Sequence, residues 1–198
     1  HLGGGAVMRH KKPALRNIGI ELDPRVIDQW KRSLPEICEL VNADAAEYLN
    51  NFSFKGEELV YADPPYLAEV RNRKRVYAYD YTYKDHENLL GLLIKLPCMV
   101  MISGYESELY NDLLSKWNVY KYNAKTHTTI REECVWFNFA LPKELHDSSF
   151  LGSNYRQRQV IQRRQQRLRA KIASMNSIER SELIQWINDS YCNKTENI

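Results

Sequence analysis

Leu59-Val60-Tyr61-Ala62-Asp63-Pro64-Pro65-Tyr66 joins a short apolar run to a proline pair. The run reads as a buried strand of a parallel sheet. Two prolines cannot continue a hydrogen-bonded ladder, so the strand stops at them. They also push Asp63 and Pro64 towards extended geometry. The outcome is a stiff strand-end loop that holds a carboxylate (Asp63), a backbone carbonyl (Pro64) and an aromatic face (Tyr66) close together. That trio suits an amine on a planar ring: carboxylate and carbonyl each accept one N–H, and the tyrosine stacks on the plane. A proline-rich turn without chemistry would look the same in isolation, so the reading depends on the residues around it.

The chain has 198 residues, the size of one domain with an appended tail. Its 43% hydrophobic content is enough for a core, and its net charge of +3 says little by itself. No run of eighteen apolar residues predicts a membrane span, and no secretory signal pattern is present. The chain starts at His1, just before a glycine run, and a preceding segment is expected to be missing. Cys38, Cys98, Cys134 and Cys192 are scattered, with no C-x-x-C spacing. The first three lie in apolar runs and read as small buried hydrophobes of a reducing cytosol rather than metal ligands.

Apolar runs alternate with helix-period segments, which predicts an α/β domain with a mostly parallel sheet. Strands are expected at residues 17–22, 37–41, 59–62 and 98–102, with a terminal pair at 119–125 and 134–139. Helices are expected from Pro24 to about Ser33, from Asp44 to about Leu49, over 85–96 and over 106–117. Residues 67–83 break the pattern with Arg71, Arg73, Lys74 and Arg75, then Tyr77, Tyr79, Tyr81 and Tyr83. His86 and His127 read as surface or polar residues without a role. Past Pro142 the composition changes. Residues 143–154 form a polar linker, and a helical tail over 155–198 follows. Its first helix carries Arg156, Arg158, Arg163, Arg164, Arg167, Arg169 and Lys171 with no acid. Ile161, Leu168, Ile172 and Met175 fall near one face of it, so the same helix also suits packing against a core. Asn176 and Glu179 resemble a capping box opening a last helix.

Three further signals fall at strand ends. Gly3-Gly4-Gly5, followed by Ala6-Val7, sits where a nucleotide-binding loop leads into a first helix; glycines there permit tight turning and close approach to a ligand. Glu21 ends the next strand, where a carboxylate accepts both hydroxyl protons of a ribose. Asp44 ends the one after, as a helix cap or as an acceptor for an adenine amino group. In an open α/β sheet the carboxyl ends of the strands form the ligand crevice. Glycine loop, acid, acid and Asp-Pro-Pro-Tyr therefore belong to one crevice.

This order resembles the Dam-type family of DNA adenine-N6 methyltransferases over residues 1–139. Asp63 to Tyr66 match that family's DPPY motif in full. Gly3 and Gly5 resemble its cofactor-loop glycines, and His1 stands where the motif usually has Phe. Ser103-Gly104-Tyr105, Trp117 and residues 133–138 are similar to later, less diagnostic segments. The resemblance implies a Rossmann-like S-adenosylmethionine-dependent methyltransferase fold over residues 1–142, closed by a terminal antiparallel strand. It implies S-adenosylmethionine as cofactor, held by Gly3, Gly5, Glu21, Asp44 and Asp63, and no metal. The implied catalytic residues are Asp63, Pro64 and Tyr66. Double-stranded DNA is the implied partner, a restriction endonuclease the implied functional companion, and a bacterial or phage cytoplasm the implied setting. Two features depart from the family. The segment before the glycine loop is absent, and only about eighteen residues separate Asp44 from Asp63, too few for a recognition domain.

Adenine N6 is a poor nucleophile because its lone pair is delocalised into the ring. Accepting both N–H groups frees that lone pair, and alignment with the methyl group supplies most of the rate. A base inside a duplex must first be flipped out, with Tyr66 stacking on it. DNA recognition is expected from Arg71, Arg73, Lys74, Arg75 and Tyr77 in the basic loop and from Arg163, Arg164 and Arg167 in the tail. Methylation of adenine in RNA or of cytosine N4 in DNA fits the same motif, as does a catalytically silent nucleic-acid-binding homologue.

Overall fold

The computed structural model of the chain describes residues 1–33, 36–70, 79–125, 130–142 and 144–192. The chain divides into two compact units, His1–Lys143 and Glu144–Ile198. The first unit runs α1 (Ala6–His10), β1 (Ile18–Glu21), α2 (Pro24–Ser33), β2 (Glu39–Asn42), α3 (Ala45–Asn51), β3 (Leu59–Ala62), α4 (Tyr83–Leu93), β4 (Met99–Gly104), α5 (Glu108–Leu113), β5 (Asn118–Lys125) and β6 (Ile130–Phe137). β1 and β2 pair in parallel. β3 and β4 also pair in parallel, with Leu59 opposite Met99 and Ala62 opposite Ile102. β6 lies antiparallel between β4 and β5, so the larger sheet has the order β3-β4-β6-β5. The fold is therefore the expected Rossmann-like α/β alternation, with a two-stranded parallel sheet (β1-β2) and a four-stranded sheet that is parallel at β3-β4 and closed by the antiparallel strands β6 and β5.

Local chemistry sets the element ends. Asp23 takes the Arg25 amide at 2.9 Å just before Pro24, a residue suited to the first helical position, and α2 starts there. Asp44 caps α3 by accepting the Glu47 amide at 2.9 Å. α4 opens at Tyr83, two residues before the sequence expectation, because Thr82 and Asp85 form a reciprocal capping box. α5 is shorter than expected. Ser107 caps it at Glu108, and the backbone leaves helical geometry at Leu114.

The core lies between α4, α5 and one face of the larger sheet. Leu89, Leu90 and Leu93 of α4, Leu109 and Tyr110 of α5, and Leu114 pack with Val100, Ile102, Cys134 and Trp136, all buried. Burying each such leucine contributes about 1.5–3 kcal/mol. His86 belongs to this core, contrary to its reading as a surface or polar residue. It falls three, four and seven positions before Leu89, Leu90 and Leu93, so the helical period turns it inwards. It is fully buried, with Nδ1 3.0 Å from the Tyr110 hydroxyl and its ring edge-on to Tyr81.

The second unit holds α6 (Tyr155–Ser174) and α7 (Ser177–Ile187). Asn154 caps α6 and Asn176 caps α7. The Arg180 guanidinium reaches from α7 to the carbonyls of Ile172, Ala173 and Met175, closing the C-terminus of α6. Arg163, Arg164 and Arg167 are exposed on α6, and no residue of that helix is buried among the described residues.

Thr82→Ala removes half of the α4 capping box. It is expected to lower unfolding free energy by about 1 kcal/mol, within the usual 0.5–2 kcal/mol for a lost cap. Chemical denaturation measures this, with Thr82→Ser staying near the parent.

Candidate active site

Four strand ends supply the site. β1 delivers Glu21, β2 leads to Asp44, β3 runs into Asp63, and β4 ends at Ser103 and Gly104. Glu21, Asp44 and Asp63 all lie close enough to His1 for their charges to act there, although 42 positions separate Glu21 from Asp63.

The glycine loop is built around Trp30, a nearly fully buried residue of α2. The Trp30 indole donates to the Gly3 carbonyl at 2.8 Å, and the Arg9 guanidinium lies 4.7 Å from the ring centre. Gly3 and Gly5 have φ of 49° and 59°, the left-handed region that favours glycine. A Cβ on Gly5 would sit 2.2 Å from Trp30, so the position also lacks room for a side chain. The Gly3 amide donates to Glu21 Oε2 at 2.8 Å, and the Asp23 amide to Oε1 at 3.0 Å. Loop and acid thus form one cradle. A carboxylate has about four acceptor positions, so Glu21 keeps capacity for two hydroxyl protons. These residues fit a nucleoside-bearing cofactor. Asp44 makes the capping contact weighed for it, and its charge also acts on Tyr81.

Asp63 leaves β3 beside the end of β4. The Ser103 hydroxyl donates to Asp63 Oδ1 at 2.8 Å, and the Tyr61 hydroxyl donates to Ser103 at 3.2 Å. Asp63 is exposed to solvent on one side, while protein packs round the rest of its carboxyl. Burial raises its pKa above the ordinary carboxylate range, and the nearby charge of Glu133 adds to this; the Ser103 hydrogen bond pulls the other way. Pro64 is fully buried. The Tyr66 ring meets Tyr105 edge-on at 4.6 Å, and its hydroxyl points to Glu133 Oε2 at 3.4 Å. Burial, with Asp63 and Glu133 nearby, raises its pKa strongly, so it remains a neutral phenol.

Sequence reasoning missed Ser103 as the partner of Asp63, and it missed Glu133 and Tyr81. The register of β3 with β4 would have pointed to Ser103, because Asp63 directly follows a pair that ends at Ala62 and Ile102. Tyr81 lies in the stretch expected to contact DNA. Here its hydroxyl lies 2.7 Å from His1 Nε2 and its ring is edge-on to that imidazole, beside the glycine loop. Arg71, Arg73, Lys74, Arg75 and Tyr77 lie outside the described residues. Arg163, Arg164 and Arg167 belong to the second unit.

No family model matches the chain, and no curated protein matches it. Among solved structures it is similar to M. capricolum TrmK in complex with the natural cofactor product S-adenosyl-homocysteine. The identity is 11%, the match covers 87% of this chain and 77% of that one, and the TM-score is 0.38. A likeness that loose carries no argument.

Ser103→Ala removes the bond that favours ionised Asp63, so the carboxyl pKa is expected to rise further. Any activity that needs the carboxylate then loses its acid limb at a higher pH than in the parent. A pH–rate profile of the two proteins reads the displacement; superimposable acid limbs would remove Ser103 from the site's chemistry.

Proposed function

We propose that this chain transfers a methyl group from S-adenosylmethionine to the N6 amine of adenine in DNA. The observation that carries the reading is the Ser103–Asp63 hydrogen bond beside the stiff Pro64-Pro65-Tyr66 turn, next to the cradle that joins Gly3 to Glu21. Gly3, Gly5, Glu21 and Asp44 hold the cofactor in this reading. When bound, it supplies an electrophilic methyl group on a positively charged sulfur.

The protein's own work is positioning and proton handling. Asp63 Oδ2 accepts one N–H of the amine, which draws its lone pair out of conjugation, while the fully buried Pro64 holds the turn that presents the carboxylate. Ser103 fixes the carboxylate plane through Oδ1. Tyr66 stacks on the base, contributing roughly 1–3 kcal/mol, and holds the ring in one plane while the amine is aligned. The amine gives up one proton as it gains carbon. Asp63 is the group in contact with that proton, and its raised pKa makes it a better acceptor than an ordinary carboxylate. The sign for stability is the reverse. A raised folded-state pKa favours the fold below the unfolded-state value, and that contribution is lost as pH rises through the folded value.

The test is incubation with labelled cofactor and defined duplex DNA, followed by digestion to nucleosides. Labelled N6-methyladenine is expected. Label in N4-methylcytosine, or in an RNA substrate alone, would replace the substrate while keeping the chemistry; cofactor binding without transfer to any amine would make the chain a binding module. Asp63→Ala is expected to lower transfer by about 10²-fold or more while cofactor affinity stays close to the parent.

The exposed Arg163, Arg164 and Arg167 of α6 support phosphate binding by the tail. Replacing all three with Gln is expected to reduce the slope of log K against log salt by about 2.7, three times the 0.9 of one phosphate contact. An unchanged slope would leave these charges in solvent.

A further inference from the structure

α4 and α5 pack on the sheet face that carries Val100, Ile102, Cys134 and Trp136. Register assigns the residues of the other face. Ser103 stands opposite Val135, Val135 opposite Tyr120, and Glu133 opposite Tyr122. Residues two apart on a strand share a face, so Tyr120, Tyr122 and Glu133 stand on the face of Ser103, the residue that holds Asp63. Lys121, between the two tyrosines, turns the other way to Glu106, at 2.6 Å.

Tyr120 keeps 64% of its surface exposed and Tyr122 36%. Their rings are close to parallel, 18° apart, with centroids separated by 6.2 Å. At that separation the two rings form a loose stack, and Tyr120 keeps most of its surface open. Glu133 Oε2 accepts from the Tyr122 hydroxyl at 2.9 Å and lies 3.4 Å from the Tyr66 hydroxyl. One carboxylate oxygen thus ties the ring beside Asp63 to the first ring of the exposed pair. Tyr105 is engaged differently, with Arg131 covering its face at 4.2 Å. What remains is a group of three rings, Tyr66, Tyr122 and Tyr120, joined through Glu133 and the stacked pair.

We propose that Tyr122 and Tyr120 form a second binding site, a stacking platform for the unpaired nucleobases that adjoin the target base on its own strand. The inference rests on the reading of Asp63 as the amine-binding group. Every base has a π-face, so successive aromatic rings hold a strand without selecting its sequence. The phenol of Tyr122 is engaged by Glu133, which orients that ring and leaves its face for a base. Single-stranded DNA and looped RNA offer the same stacking chemistry, and the experiment separates them.

Short DNA and RNA oligomers with one central adenine are titrated with the parent protein and with Tyr120→Ala, Tyr122→Ala and Tyr120→Phe. Methyl transfer to the same oligomers and to adenosine monophosphate is read alongside. Each alanine variant is expected to weaken binding about 5- to 140-fold, and Tyr120→Phe to stay within about twofold of the parent. Transfer to adenosine monophosphate, which has no neighbouring base, is expected to be unchanged in Tyr120→Ala. The oligomer that shows the loss identifies the strand. Parent protein that binds neither oligomer, or alanine variants that bind both as the parent does, would overturn the platform. So would an equal loss on adenosine monophosphate in Tyr120→Ala, which would make that ring part of the target pocket. A parent protein that transfers no methyl group, with alanine variants that still lose oligomer affinity, would sink the amine-methylation reading and leave the platform standing. Melting temperatures equal to the parent's confirm that the variants are folded; Tyr120→Phe, which keeps the ring, separates loss of stacking from loss of fold.

Discussion

The parallel pairing of β3 with β4 is the constraint on which the site depends. It ends with Ala62 opposite Ile102, so the next residues of both strands, Asp63 and Ser103, emerge side by side. The Ser103 hydroxyl then closes on the Asp63 carboxylate at 2.8 Å. The core beneath holds that pairing in place, since Val100 and Ile102 are both fully buried. The proline pair prevents β3 from running on and carrying Asp63 past its partner. A carboxylate held this way is available to a ligand without reorganising, which is where preorganised groups gain their effect.

Burial and charge act on the site in a graded manner. Tyr66, Tyr81, Tyr110 and Tyr122 all have their pKa raised, in each case by burial first and then by neighbouring carboxylates or phenols. The floor and walls of the crevice are therefore neutral hydrogen-bond donors and π-faces, and the charges are confined to a few acids at strand ends. Such a crevice is acidic and aromatic, suited to a cationic or amine-bearing ligand. The cations of α6 belong to a separate unit, where no acid of the helix offsets them.

Much of this was legible from local pattern. The α/β alternation, the proline-terminated strand, the glycine loop and the acid that meets it all declare themselves within a few residues of chain. What could not be read was pairwise and long-range. Ser103 gains its meaning from Asp63, 40 positions away, and Glu133 from Tyr66, 67 positions away; a sequence gives no register between such segments. His86 was misjudged for a different reason. A polar residue name suggested the surface, while helical phase placed it with three leucines of the core. Tyr81 shows a third limit, since a run of alternating tyrosines gives no sign of which one turns inwards.

The strand order has a consequence for how the protein assembles. β5 takes the outer edge of the larger sheet before β6 enters between it and β4. The hairpin of β5 and β6 pairs residues close in sequence, as far as Lys125 opposite Ile130, whereas its seating against β4 joins distant parts of the chain. Local closure precedes distant seating because the entropy lost in closing a loop grows with its length. The crevice is accordingly made in two events. The cradle of Gly3 and Glu21 is complete without the hairpin, while the wall that Glu133 and Tyr122 form beside Tyr66 exists only after seating. A partial opening that releases β6 from β4 would spare the first and erase the second, which makes the hairpin the natural boundary between two cooperative units of opening.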